Sequence, residues 1–375
     1  MTKIVVVDQQ CLSNPCIPVL PELVGHPDWK PYQEFLTYNQ NFNGFYHRAG
    51  VNNLPFKNNL IQHFHFEMPT YDDKFNLSFA EVSDLRIADL TKNKQDKPWL
   101  VMYSGGIDST VIMAAILKNL SPANFENITV ACNQLSVIEY PSFFYNYIKP
   151  NFKIIDSTYL AYDSSLYDQY YVLDGELGDM LYGAVSWLPD QVSNQLLLKD
   201  FRQEPDALIA LLNEIKGPGL WFYELLKENI DSVDVPVTNY IDFFWWMNIN
   251  MCWASALLRP HHQRGESLSV DKFLQNNISW YDSREYQLWS MTTSPDEKYS
   301  TDIALRKLAS KKYIYDLDHN EYYYHFKCKS MSVGRSKSRH RQEWFCLTDD
   351  GPPLYIEQDL EKILDLLPEH INQQY

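Results

Sequence analysis

The feature that most constrains the fold is a glycine-containing loop between an apolar run and a helical pattern. Residues 99–103 (WLVMY) form a continuous apolar run, which is typical of a strand covered on both faces. The loop 104–109 (SGGIDS) follows, and residues 110–120 then repeat apolar side chains at helical spacing. This order predicts one strand-loop-helix unit of an α/β fold.

Further apolar runs predict more strands of the same sheet, at residues 127–131, 152–155 and 170–173. Beyond about residue 190 the pattern is mainly helical. The clearest helices are predicted at 191–198, 205–215, 220–228, 240–258, 284–291 and 301–309. Alternating strands and helices predict a doubly wound parallel sheet with a helical C-terminal part.

Changes of composition along the chain predict three regions. Residues 1–95 are rich in Asn, Phe, Tyr and Pro with short strand-like runs, so we expect a small β or mixed N-terminal domain there. The polar stretch 92–98 ends in proline and is predicted to be the linker into the main domain, residues 98–345. Residues 346–375 are predicted to form a C-terminal tail or helix.

Composition and charge restrict the function. The net charge of -16 argues against coating DNA or an anionic membrane, because such roles need an excess of Lys and Arg. The apolar stretch 240–258 contains Asp242 and two asparagines, so a buried helix is expected rather than a membrane span. The six cysteines show no CxxC pair, which favours a reducing, cytoplasmic setting.

The glycine loop has the chemistry of a phosphate site. Gly105 and Gly106 allow a tight turn and a close approach of backbone N–H groups to phosphate oxygens. Ser104 and Ser109 supply hydroxyl donors, and the following helix directs its positive end at the anion. Asp108 suits this place if Mg²⁺ lies between its carboxylate and the phosphates. The alternative is a helix-opening turn whose serines and Asp108 only cap the helix.

The loop differs from a Walker A sequence and from GxGxxG. Its SGGxDS form resembles the signature of the PP-loop ATP pyrophosphatase superfamily. That resemblance implies a Rossmann-like fold of the adenine nucleotide α-hydrolase type. It also implies cleavage of ATP between the α and β phosphates and adenylation of a substrate.

A second acidic motif follows the strand predicted at 170–173. Glu176 and Asp179 are three residues apart, so both would project to one side of a helical turn, at the strand end where such sheets bind ligands. The motif resembles the Gly-Glu-x-x-Asp element of asparagine synthetase-like proteins. The resemblance implies that Asp179 binds Mg²⁺ and pyrophosphate and that Glu176 helps to deprotonate the incoming amine. A pair of acids that caps the helix is the alternative.

Three C-terminal segments extend the resemblance: 278–286 to the family's P-F-x-D-x-R/K segment, 304–308 to its I-L-R helix and 326–330 to its R-x-K. In the family that lysine stabilises negative charge on the α-phosphate, which implies the same role for Lys329 or, as second choice, Lys327. Solvated surface lysines are the alternative. Residues 327–341 carry several basic side chains and no acid, which suits phosphate binding or a solvated loop.

The complete site prediction follows from these motifs. ATP and Mg²⁺ are the expected cofactors, the catalytic candidates are Glu176, Lys329 and Lys327, and the metal ligands are Asp108 and Asp179. The nucleotide-binding candidates are Met102, Ser104, Gly105, Gly106, Asp108, Ser109, Thr110, Ala131 and Gly175.

The resemblance implies an AMP-forming ligase that adenylates a small-molecule or peptide carboxylate and transfers it to ammonia or an amine. Thr2 stands where glutamine-dependent relatives carry their cysteine nucleophile, so the nitrogen is expected from ammonia, an amine or a separate glutaminase. A PP-loop enzyme that adenylates a nucleobase, and an ATP-binding regulatory protein without catalysis, are the two alternatives. Neither a membrane nor, on charge, a nucleic acid is an expected partner.

Overall fold

The computed structural model describes residues 66–157, 160, 163–183, 194–215, 219–262, 268–299 and 306–327. Most of the predicted N-terminal domain and the predicted tail at 346–375 lie outside these residues. Lys329, the first choice for the catalytic lysine, also lies outside them.

The described chain contains a sheet of five parallel strands, in the order β3-β2-β1-β4-β5. The strands are β1 (Trp99–Met102), β2 (Ile128–Cys132), β3 (Lys153–Asp156), β4 (Tyr171–Asp174) and β5 (Asn277–Ser279). The four strands predicted from apolar runs are confirmed, and β5 adds a fifth that its polar sequence did not indicate. Leu100 and Val101 of the central β1 are fully buried, as expected for a strand covered on both faces.

Helices supply most of the remaining regular structure in the described residues. They are α1 (Phe79–Asn93), α2 (Ile107–Asn119), α3 (Gln134–Glu139), α4 (Pro141–Phe143), α5 (Leu166–Gln169), α6 (Gly178–Leu181), α7 (Asn194–Leu197), α8 (Pro205–Ile215), α9 (Gly219–Asp231), α10 (Tyr240–Met247), α11 (Trp253–His262), α12 (Val270–Asn276), α13 (Arg284–Thr292), α14 (Pro295–Lys298), α15 (Leu308–Asp318) and α16 (Glu321–Phe326). No helix in this part of the chain is both long and apolar enough to cross a bilayer.

The chain divides into two compact units, and one of them contains the sheet. In its described part this sheet unit comprises residues 77–176, 268–286 and 306–327, apart from the gaps near residue 160. Helices α1 and α15 both pack against α2, which is buried along most of its length. The parallel sheet with its packed helices gives the unit an α/β fold.

Helix α1 lies in the last part of residues 1–95, for which a β or mixed domain is predicted. It belongs to the sheet unit, and a capping box begins it: the N–H of Glu81 donates to the Ser78 hydroxyl while the Glu81 carboxylate accepts from the N–H of Ser78. Phe79, Val82 and Ile87 then face the core. The predicted boundary near residue 95 therefore falls after a helix that packs with the sheet.

The second unit is helical and includes the described residues of 177–262 and 287–299. Its helix α10 is buried throughout, and the helices predicted at 205–215 and 220–228 are present as α8 and α9. The helix predicted at 240–258 is present as α10 and α11 with a π-helical turn, Asn248–Cys252, between them. Lys298 and Asp242 form a buried ion pair at 3.6 Å, with the ammonium 3.9 Å from the centre of the Trp245 ring.

Only part of the helix predicted at 301–309 falls on described residues. Residues 301–305 lie outside the described part, and α15 starts only at Leu308. Lys307 precedes it with φ 57° and ψ 37°, the left-handed conformation that cannot continue an α-helix. A single backbone conformation therefore sets the start of α15 and the direction in which the Lys307 side chain leaves the chain.

Candidate functional site

The candidate site lies at the carboxyl ends of β1 and β4. These strands are neighbours, but the chain places β2 and β3 on one side of β1 and returns to add β4 and β5 on the other. The connections after β1 and β4 therefore diverge, which opens the crevice where parallel α/β sheets bind ligands. The glycine loop follows β1, and residues Gly175 and Glu176 follow β4.

Gly105 is pressed against helix α3. Its φ is +75°, and a Cβ built on it would lie 2.0 Å from the carbonyl oxygen of Ser136 and 2.7 Å from Cβ of Glu139. Only glycine combines this backbone conformation with so close an approach. Helix α3 is thus the support on which the loop rests.

The serines predicted to bind phosphate also form hydrogen bonds within the loop. The hydroxyls of Ser104 and Ser109 lie 3.0 Å apart, and the Ser109 hydroxyl also accepts from the N–H of Ser104 at 3.1 Å. Thr110 donates its hydroxyl to the carbonyl of Gly106 at 2.8 Å. Gly106 stands at the N-cap position of α2 and has no side chain to accept from the first-turn N–H groups. Such a helix start suits an anion.

Two further nucleotide-binding candidates lie side by side at the end of the sheet. Met102 is the last residue of β1 and pairs with Ala131 of β2, and the N–H of Tyr103 donates to the Ala131 carbonyl at 2.9 Å. The structure therefore brings both residues next to the beginning of the glycine loop.

The second acidic motif, which begins at Gly175, contacts the end of the glycine loop at Asp108. A Cβ built on Gly175 would lie 3.1 Å from Cβ of Asp108 and 3.3 Å from the backbone nitrogen of Ser109. Gly175 therefore lets the end of β4 approach the first turn of α2. Glu176 follows directly, so this carboxylate is one residue away from the contact with Asp108.

Asp174, the last residue of β4, is a buried acid that the sequence analysis did not select. Its carboxylate accepts from the side-chain amide of Asn277 at 2.6 Å and from the backbone N–H of Glu176 at 3.2 Å. Burial first, and the nearby Glu176 carboxylate second, raise the pKa of Asp174 to about 7. The hydrogen bond to its N–H fixes the backbone of Glu176.

Asp108 forms an ion pair with Lys307, which sequence reasoning had placed in a helix without assigning it a role. The Lys307 ammonium lies 2.7 Å from Oδ1 and 2.6 Å from Oδ2 of Asp108. The Tyr281 hydroxyl donates to the Asp108 backbone carbonyl at 3.0 Å, which fixes the first turn of α2 from another side. No local pattern identifies this pair, because its partners are far apart in the sequence.

Lys327, the second choice for the catalytic lysine, is buried and forms an ion pair of its own. Its ammonium donates to the carboxylate of Glu139 and, at 3.2 Å, to the Glu139 backbone carbonyl. The side chains of Lys327 and Glu139 are only 1% and 4% exposed. Since Glu139 ends α3, Lys327 holds the helix that supports Gly105.

The metal prediction names Asp108 and Asp179. Asp179 lies in the first turn of α6 and belongs to the helical unit. Among the described residues, no three His, Cys, Asp or Glu side chains form a group that could hold a metal ion by themselves. Mg²⁺ in nucleotide sites takes only one or two carboxylates and completes its shell with phosphate oxygens and water. The hard carboxylate of Asp108, in the first turn of a helix without a side-chain N-cap, fits that pattern.

A scan against models of known protein families gives no match for this chain, and a comparison with curated proteins gives none either.

Proposed function

We propose that this protein is an ATP-dependent, AMP-forming ligase that adenylates a carboxylate and transfers it to ammonia or an amine. The observation that carries the proposal is the contact of Gly175 with Asp108 at the ends of β1 and β4. It joins a phosphate-type glycine loop to an acidic motif at the crevice of a parallel sheet. These are the parts, in the order along the chain, that an asparagine synthetase-like site of PP-loop type requires.

The glycine loop and the start of α2 would bind the phosphates of ATP. Ser104 and Ser109 hydrogen-bond each other, and their hydroxyls would donate to phosphate oxygens of the nucleotide. Mg²⁺ would be held by Asp108 and would neutralise phosphate charge.

Glu176 would take the proton of the attacking amine. The hydrogen bond from its N–H to the Asp174 carboxylate fixes its backbone at the end of β4. The Glu176 side chain therefore starts from a fixed position. Around neutral pH, Asp174 holds its proton more strongly than an ordinary aspartate because of burial. Glu176 is therefore not opposed by a second full negative charge at the end of β4.

The deciding measurement is carboxylate-dependent exchange of labelled pyrophosphate into ATP, across a broad panel of acids. We expect exchange with one class of carboxylate, because adenylation is reversible before the amine attacks. Asp108→Ala should reduce it by roughly two to three orders of magnitude, the size typical of losing a group that stabilises transition-state charge. Asp73→Ala removes an exposed aspartate of the described chain and is the matched control.

Two outcomes would favour the other functions instead. Exchange that depends on added RNA, together with nucleic acid that copurifies with the protein, would indicate adenylation of a nucleobase. Tight ATP binding without release of pyrophosphate or AMP, whatever the acceptor, would indicate a regulatory nucleotide-binding protein. Either result would overturn the ligase proposal.

A further inference from the structure

The Asp108–Lys307 ion pair sits where the proposed function needs a divalent cation. Both oxygens of the carboxylate accept from one ammonium, at 2.7 and 2.6 Å. The Lys307 side chain is 13% exposed and that of Asp108 23%, so the pair is only partly screened by water. A Mg²⁺ held by this carboxylate would use the same oxygens that accept from the ammonium.

The surrounding structure holds both partners of the pair in place. Asp108 lies in the first turn of α2, and its backbone carbonyl is fixed by the Tyr281 hydroxyl. Lys307 adopts a left-handed conformation directly before α15, and α15 packs against α2. A left-handed conformation is unfavourable for a residue with a side chain, so contacts of this region must stabilise it. The ammonium is thus positioned by the fold rather than by a flexible surface chain.

We propose that Lys307 is the resident counter-cation of Asp108 and keeps divalent metal off the empty site, so that the metal binds only together with nucleotide. The inference rests on the proposed function, because that proposal places Mg²⁺ at Asp108. In the empty site the pair carries no net charge and attracts a divalent ion weakly, while the ammonium repels it. A bound nucleotide brings several negative charges, so the ammonium gains phosphate oxygens as partners and Asp108 becomes available to the metal.

Binding of Mn²⁺ to the full-length protein without nucleotide tests the inference, with the free ion measured by electron paramagnetic resonance. Lys307→Met should bind one Mn²⁺ about tenfold more tightly than the wild type, the order expected for removing one adjacent positive charge at a partly screened site. Lys307→Arg keeps the charge and should bind Mn²⁺ as weakly as the wild type. Lys312→Met removes an exposed lysine of α15 and is the matched control, with no expected gain.

A double variant identifies the carboxylate that gains the metal. Asp108→Asn combined with Lys307→Met should lose the Mn²⁺ bound by Lys307→Met alone. Circular dichroism verifies that each variant is folded, and Lys307→Gln, which keeps a polar side chain, replaces Lys307→Met if the apolar variant does not fold. If neither neutral variant binds Mn²⁺ more tightly than Lys312→Met does, or if the gain survives in the double variant, the inference is wrong.

The same titrations separate this inference from the proposed function. A wild type that binds Mn²⁺ equally well with and without a non-hydrolysable ATP analogue would overturn only the role of Lys307. Absence of protein-bound Mn²⁺ in every variant, even with the analogue, would remove Asp108 as a metal ligand and overturn both proposals.

Discussion

Replacing Gly105 with alanine tests how the glycine loop is supported. The added Cβ would lie 2.0 Å from the Ser136 carbonyl oxygen, whereas ordinary contacts begin near 3.4 Å, so loop and α3 must separate by more than 1 Å. The left-handed φ of +75° adds roughly 1–2 kcal/mol for alanine. Overpacking against a backbone atom adds roughly 1–3 kcal/mol. We therefore expect a loss of about 2–5 kcal/mol in the free energy of unfolding.

Gly106→Ala is the matched control, because it makes the same chemical change one residue further on. Gly106 has φ -75° and ψ 166°, and its added Cβ would meet only the Ser104 hydroxyl at 3.3 Å. Its loss should stay below about 1 kcal/mol, the effect of a poorer N-cap residue.

Urea denaturation measures the loss for each variant, and hydrogen exchange of the peptide covering α3 measures the local effect. Exchange there should be at least about thirtyfold faster in Gly105→Ala, the factor that corresponds to about 2 kcal/mol. If Gly105→Ala is no less stable than Gly106→Ala, and α3 exchanges at the wild-type rate, the close contact does not support the loop.

Two further predictions concern buried charges near the loop. Lys327→Met should lower the free energy of unfolding by about 3–5 kcal/mol, since it leaves Glu139 buried without its ammonium. Urea denaturation should show much less loss for exposed Lys312→Met, and partial recovery when Glu139→Gln is added to Lys327→Met. A loss below about 1 kcal/mol for Lys327→Met would contradict the pairing. The pKa of Asp174 is raised from 3.8 to about 7, so the folded protein keeps a proton that the unfolded chain has released, and the stability that this residue contributes should fall as pH rises from about 4 to about 7. The unfolding free energy of the wild type minus that of Asp174→Asn should therefore decrease as pH rises through that window and level off above it. A value of this difference that does not change with pH would contradict the raised pKa.

The sheet could be predicted where the sequence pattern is local. A strand covered on both faces needs a continuous apolar run, and residues 99–103 provide one directly before the glycines. Helix α1 also has a local signal, the Ser78 and Glu81 of its capping box, although the strand-like runs before it favour β structure. Strand β5 had none, because its three residues are Asn, Ile and Ser and its place depends on pairing with β4.

The candidate site was predictable only in part for the same reason. The residue types of the loop and of Glu176 can be read from the sequence, and the phosphate and amine chemistry that they predict stays a prediction. The Lys307 contact cannot, since it depends on α15 packing against α2 and on one left-handed residue. The support of Gly105 by Glu139 is likewise a tertiary contact.

The free-energy cost of separating each lysine from its carboxylate indicates which described lysine can bind a ligand. Drawing Lys327 out of its pair would leave Glu139 buried and uncompensated, at a cost of about 3–5 kcal/mol that ligand contacts would have to offset. Lys307 and Asp108 are partly exposed, and the proposed metal would replace the ammonium at the carboxylate, so neither charge is left alone when the pair opens. A phosphate-contacting role therefore fits Lys307 better than Lys327, while Lys327 acts on the loop through Glu139. Loss of Lys327 should consequently weaken the proposed nucleotide binding only as far as it loosens α3, whereas loss of Lys307 should change the proposed metal dependence with α3 intact.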